Sequence, residues 1–199
     1  MFEETFGEKY YQTNNYTDYL GRGDRYIRLA NEVSDFLGKM NLNKGPVLDF
    51  GCAVGFLLEG LKDKHEAVYG VDISEYALEV CREKGLDVRD APLFDTRHGI
   101  VYGLDVFEHM DEDELNAFFA RVDTKVIVFR MPICAEGEDD YHLEVSRRDP
   151  THVIKWTKSQ WQSYFKKYGY LPLDLELSTI YNSTGVYSGV AICTTDWPT

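Results

Sequence analysis

Between Asp24 and Met40 the apolar residues Tyr26, Leu29, Ala30, Val33 and Leu37 recur at the spacing that lines one face of a helix, and Lys44-Gly45-Pro46 closes the segment. The 23 residues before it are rich in Tyr, Asn and Gly, show no period, and read as an irregular arm. Beyond Pro46 the pattern changes to short apolar runs, each followed by a helical stripe. Val47-Leu48-Asp49-Phe50 predicts a strand, and Val54, Leu57, Leu58 and Leu61 mark the helix after it. Ala67 to Val71 predicts a second strand, followed by a helix capped by Ser74 and stopped at Gly85. Leu86-Asp87-Val88, Ile100 to Leu104 and Lys125 to Phe129 predict the third, fourth and fifth strands.

Two further helices announce themselves by their starts. Asp111 with Glu114 and Thr157 with Gln160 have capping-box spacing. The stripes that follow are Leu115, Phe118, Phe119 and Val122 in one, and Trp161, Tyr164, Phe165 and Tyr168 in the other, which Gly169 stops. The second set of aromatics reads as core rather than a ligand cage. In the tail, Leu171 to Ile180 and Val186 to Thr194 are β-rich runs around Asn182-Ser183-Thr184-Gly185, which reads as a hairpin. Strands alternating with helices and ending in a hairpin predict an α/β fold, with a mostly parallel sheet and an antiparallel addition. With 199 residues, a single domain is expected, an arm and helix over 1–43 and an α/β core over 44–199.

Composition narrows the function. No apolar run is long enough to cross a bilayer, and the acidic start Met1-Phe2-Glu3-Glu4 lacks the pattern of an export signal, so a cytoplasmic location and no membrane partner are expected. Cys52, Cys81, Cys134 and Cys193 lie far apart without paired spacing and read as reduced thiols, three of them in apolar segments. A net charge of −13 repels phosphate backbones, so bulk nucleic-acid binding is not expected.

The chemistry concentrates after the first strand. Asp49-Phe50-Gly51-Cys52-Ala53-Val54-Gly55 runs from a strand through a glycine-bearing turn into a helix, where the backbone turns tightly and a ligand can approach. Tyr69-Gly70-Val71-Asp72-Ile73-Ser74 places an acid at the end of the second strand, where a carboxylate can bind ribose hydroxyls. Three residues separate Gly51 from Gly55, which does not match the G-x-G-x-x-G turn of dinucleotide sites.

The D-x-G-x-x-x-G pattern resembles the first motif of class I S-adenosylmethionine-dependent methyltransferases, with Ala53 at the place of the middle glycine. The likeness spans about Val47 to Gly169 by motif. It implies a Rossmann-like, mostly parallel seven-stranded sheet with helices on both faces and a C-terminal antiparallel hairpin. It implies S-adenosyl-L-methionine as cofactor, with Asp49, Phe50, Gly51, Cys52 and Gly55 in the loop, Asp72 on the ribose and Ile73 on the adenine face. Asp90-Ala91 resembles the pair at the adenine edge, and Leu104-Asp105-Val106-Phe107-Glu108-His109-Met110 the segment near the methionine part and the acceptor. The stretch His152-Val153-Ile154-Lys155-Trp156-Thr157, with Tyr168-Gly169-Tyr170, resembles small-molecule members.

An activated methyl leaves the protein to align a nucleophile and exclude water. For a hydroxyl or ammonium acceptor, His109 is the first candidate base and His152 the second; the alternative is that they hold a turn and a loop. Ala135 to Pro150 is long and charged; Tyr141, His142 and Arg148 are either acceptor contacts or part of a solvated loop. Tyr11, beside Tyr10, either closes over the cofactor or packs the arm. Glu138, Asp139, Asp140, His142 and Glu144 offer metal donors but match no calcium loop, and no metal is expected. The reading is methyl transfer to a small-molecule or glycan-type acceptor, most readily at oxygen. The alternatives are a non-catalytic module binding the same cofactor and a nicotinamide-dependent oxidoreductase on a similar fold.

Overall fold

The computed structural model describes residues 6–12, 21–89, 91, 94 and 96–195. Its strands are β1 (Val47–Phe50), β2 (Val68–Val71), β3 (Val88–Arg89), β4 (His98–Leu104), β5 (Thr124–Pro132), β6 (Tyr170–Asp174) and β7 (Val186–Cys193). Its α-helices are α1 (Gly23–Lys39), α2 (Phe56–Leu61), α3 (Glu75–Glu83), α4 (Glu112–Arg121), α5 (Glu144–Arg147) and α6 (Lys158–Lys167). The strands form one sheet in the order β3-β2-β1-β4-β5-β7-β6. It is mostly parallel, with β1/β2 and β2/β3 parallel and β7 antiparallel to both β5 and β6. Among the described residues, no helix is long and apolar enough to cross a membrane.

The chain divides into two compact units, one of residues 1–93 and 98–101, the other of 94–97 and 102–199. In the first, α1 buries Leu29, Ala30, Val33 and Leu37, the stripe that its sequence predicts. A Cβ on Gly60 of α2 would come within 2.6 Å of the Ala30 side chain and 3.0 Å of the Ile27 backbone, so the glycine sets how closely these helices approach. The Ser74 side chain accepts from the Ala77 N–H and caps α3 as expected.

In the second unit both capping boxes form, Asp111 with Glu114 on α4 and Thr157 with Gln160 on α6. The stripes then bury Phe118, Phe119, Trp161 and Phe165. Phe119 meets Phe165 edge-on with ring centres 5.5 Å apart, and Phe129 of β5 stacks on Phe165 at 4.7 Å. These rings are core, as their spacing implied.

Several strand limits differ from the sequence pattern. The third strand is Val88–Arg89 rather than 86–88. The fourth and fifth extend further, to His98–Leu104 and Thr124–Pro132. The first tail strand stops at Asp174, so the hairpin connection covers residues 175–185 rather than a four-residue turn. The reason lies in Asn182, whose side chain acts as a piece of backbone. Its Oδ1 accepts from the Ser188 N–H and its Nδ2 donates to the Ser188 carbonyl, both at 3.0 Å, so β7 is satisfied where β6 has ended.

Candidate active site

In the first unit the loop after β1 is tied to the end of β2, with the N–H groups of Gly51 and Cys52 donating to the Val71 carbonyl at 2.9 and 3.0 Å. Three loop residues have left-handed backbone, Gly51 (φ 78), Ala53 (φ 48) and Gly55 (φ 81). Gly55 is needed for packing as well as for its turn, because a Cβ there would meet Leu86 at 2.5 Å and the Cys81 sulfur at 2.8 Å. Asp72 follows β2. Its Oδ2 accepts from the Ala53 N–H at 2.8 Å and its Oδ1 from the Ser74 N–H at 2.9 Å. Burial raises its pKa, while these backbone donors oppose the rise.

Asp49, on β1, is 3% exposed, and its Oδ2 has no hydrogen-bond partner among the described residues. Burial first, and the charge of Asp72 second, push its pKa up to about 8. A buried carboxylate with one such oxygen, beside a second carboxylate, favours a cationic ligand group.

The second unit carries a different constellation. Asp105 follows β4 with φ 54, and its backbone N–H donates to the Arg130 carbonyl at 2.7 Å. The Arg130 guanidinium on β5 grips the Asp105 carboxylate through Nε, at 3.0 and 2.9 Å, and through Nη2. A 3-10 turn, Phe107–His109, then presents Glu108 and His109. The Val153 and Ile154 N–H groups donate to the Glu108 carbonyl at 2.9 and 3.2 Å, which draws His152 alongside. The His109 and His152 rings meet edge-on with centres 4.6 Å apart.

Both imidazoles are oriented. The Thr151 hydroxyl donates to the Asp149 carboxylate, so it accepts at 2.9 Å from His109 Nδ1. His152 Nδ1 lies 3.1 Å from the Ser146 carbonyl oxygen, which can only accept. Burial first, and His152 second, lower the His109 pKa to about 4, and burial lowers that of His152. Glu108 is 1% exposed, and burial followed by the charge of Asp105 raises its pKa well above the usual range.

Residues 47–125 match the sequence model of the methyltransferase domain family. That segment, from β1 into β5, is thus similar to a methyltransferase domain. Three solved structures share the fold. The magnesium protoporphyrin IX methyltransferase of Synechocystis, solved with bound S-adenosylmethionine, is 15% identical with a TM-score of 0.62, over 96% of this chain and 97% of that one. DesVI of Streptomyces venezuelae is 18% identical with a TM-score of 0.64, over 88% of this chain and 94% of the other. An S-adenosylmethionine-dependent methyltransferase of Clostridium acetobutylicum is 16% identical with a TM-score of 0.64, over 92% of this chain and all of the other, at 100%. No curated protein matches significantly. The matched model is that of a methyltransferase domain rather than of a nicotinamide-dependent oxidoreductase.

The first unit gathers Asp49, Gly51, Cys52, Gly55 and Asp72 around one loop. Phe50 is partly buried and Ile73 is 61% exposed, open to a flat apolar partner. Ala91 is exposed, and Asp90 lies outside the described residues. Tyr11 is 4% exposed and packs with Val54, Phe56 and Ala77, so it anchors the arm. In the second unit Leu104 and Asp105 are partly buried at the end of β4. Tyr141 is 1% exposed, its hydroxyl donating to the Ile154 carbonyl, which makes it a loop pillar rather than a surface contact. His142 and Arg148 are exposed, Arg148 paired with Glu144. Arg130, Asp149 and Thr151 were given no role by sequence reasoning, and Glu108 only its place in the segment 104–110. Of the first three, Arg130 carried a signal, as a lone charge in the apolar run Val126 to Met131.

Proposed function

We propose that this chain is an S-adenosylmethionine-dependent methyltransferase that modifies a small-molecule or glycan-type acceptor, at oxygen. When bound, the cofactor supplies a methyl already activated on a sulfonium, so the chain has to hold, orient and exclude water. Asp72 would hold the ribose: its carboxylate is aligned by backbone N–H groups, those of Ala53 and Ser74 among them, and keeps acceptor capacity for a hydroxyl. Asp49 would face a cationic group of the cofactor, which its unpartnered Oδ2 suits. Ile73 offers an exposed apolar surface for a purine face.

The single observation that carries cofactor binding is the Ala53–Asp72 bond, which fixes the loop and the ribose acid as one body. A net charge of −13 supports a compact acceptor over a polyanionic one. The oriented imidazoles and the Asp105–Arg130 pair support placing the acceptor in the second unit. With its pKa lowered to about 4, His109 is neutral at pH 7 but a feeble proton acceptor, so orientation of the acceptor is its better role. The test is a screen of hydroxylated and aminated small molecules for formation of S-adenosylhomocysteine. Oxygen methylation in the product's mass spectrum and NMR supports the reading; methylation only at nitrogen or carbon overturns its acceptor part.

A further inference from the structure

Glu108, His109 and His152 each offer one donor atom, and these atoms lie within 4.8 Å of one another. Glu108 Oε2 is buried and has no hydrogen-bond partner among the described residues. The tautomers follow from the partners already described. With Nδ1–H of His109 given to the Thr151 hydroxyl and Nδ1–H of His152 to the Ser146 carbonyl, both neutral rings carry their lone pair on Nε2. Holding Nδ1–H on a protein oxygen while Nε2 faces a centre is how ligating histidines are oriented. The Asp149 Oδ2 lies 3.8 Å from His152 Nε2, which places a further carboxylate beside the three donors. The charged groups nearby are Asp105, balanced by Arg130, and Asp149, which leaves the surroundings acidic.

We infer that Glu108, His109 and His152 form a binding site for a divalent first-row transition metal, through one carboxylate oxygen and two Nε2 atoms. Two imidazoles and one carboxylate suit Mn²⁺, Fe²⁺, Co²⁺ or Zn²⁺ better than Ca²⁺ or Mg²⁺, which prefer all-oxygen shells. The sequence reading weighed metal donors only within 138–144; none of this triad lies there, and its members converge because Val153 and Ile154 dock on the Glu108 carbonyl. Three protein ligands leave coordination positions open. An acceptor hydroxyl in one of them would lose its proton more readily, a consequence that rests on the proposed oxygen acceptor, whereas the site itself does not.

The experiment uses the full chain freed of metal by chelation, titrated with Mn²⁺ alone and followed by electron paramagnetic resonance, with no acceptor present. One site per chain is expected, with ¹⁴N modulation from two imidazoles, and with Mg²⁺ competing at least tenfold more weakly. Glu108→Gln keeps the shape and removes the charge; it and His152→Asn should each weaken binding at least tenfold while S-adenosylhomocysteine still binds. Failure of stoichiometric Mn²⁺ uptake, or uptake lacking nitrogen couplings, overturns the inference even if a variant does not fold. Neither outcome depends on finding the acceptor, so failure of the oxygen-acceptor reading would leave this result distinct.

Discussion

The backbone N–H of Ala53 donates to Oδ2 of Asp72 at 2.8 Å while Ala53 itself holds φ 48. A left-handed L-residue costs about 1–2 kcal/mol, which the bond to a carboxylate offsets. Ala53→Gly should therefore be stability-neutral or stabilising by up to about 1 kcal/mol, the lost strain being partly balanced by unfolded-chain entropy. Ala53→Val should cost about 2 kcal/mol or more, since a β-branched residue fits that backbone poorly. Urea unfolding of both variants checks this.

Asp72→Ala removes the charged acceptor, whose hydrogen bonds are worth roughly 1.5–3 kcal/mol. S-adenosylhomocysteine affinity should fall about 10- to 150-fold by calorimetry. Unchanged affinity would remove Asp72 from the site.

Asp49 sets a pH dependence of folding. Its folded pKa, about 8, lies above the unfolded value near 3.8, so the folded chain holds a proton that the unfolded chain releases between those limits. That contribution is full below pH 3.8 and is lost as pH rises towards 8. His109, lowered to about 4, acts oppositely, its contribution being lost as pH falls from 6.5 to 4. Asp49→Asn should therefore match wild type near pH 4 and exceed it at pH 8, by roughly 1 kcal/mol or more. Unfolding free energies across the range, without cofactor, provide the comparison.

Arg130→Ala strands the Asp105 carboxylate, which the guanidinium holds through two nitrogens. With the Arg130 side chain 13% exposed, a loss of about 2 kcal/mol is expected. Arg130→Lys should recover only part, because an ammonium cannot make the paired geometry. Thermal unfolding ranks the three proteins.

His109→Ala should slow turnover more than it weakens S-adenosylhomocysteine binding. A wild-type rate with the identified acceptor would take His109 out of the acceptor site.

Local features were legible in the chain. The capping boxes at Asp111 and Thr157, the Ser74 cap, and the stops at Gly85 (φ 70) and Gly169 (φ 80) depend on residues within a few positions, and each formed. The turn from Asp49 to Gly55 could be read because a tight turn after a strand demands particular residue types at set positions along the chain.

Strand limits in the tail were not legible, since the end of β6 depends on Asn182 replacing it against Ser188. Nor was the placement of β7 between β5 and β6, a choice among partners far apart in sequence. Tyr141 reads as an acceptor contact or as part of a solvated loop until it is seen to be buried with Ile154 accepting its hydroxyl. The chain alone thus determined the glycine-bearing loop after β1 and the order of elements, because short-range sterics and hydrogen bonding specify them. Tertiary structure decided that Glu108, His109 and His152 meet, because pairing between segments some forty residues apart leaves no mark in either one.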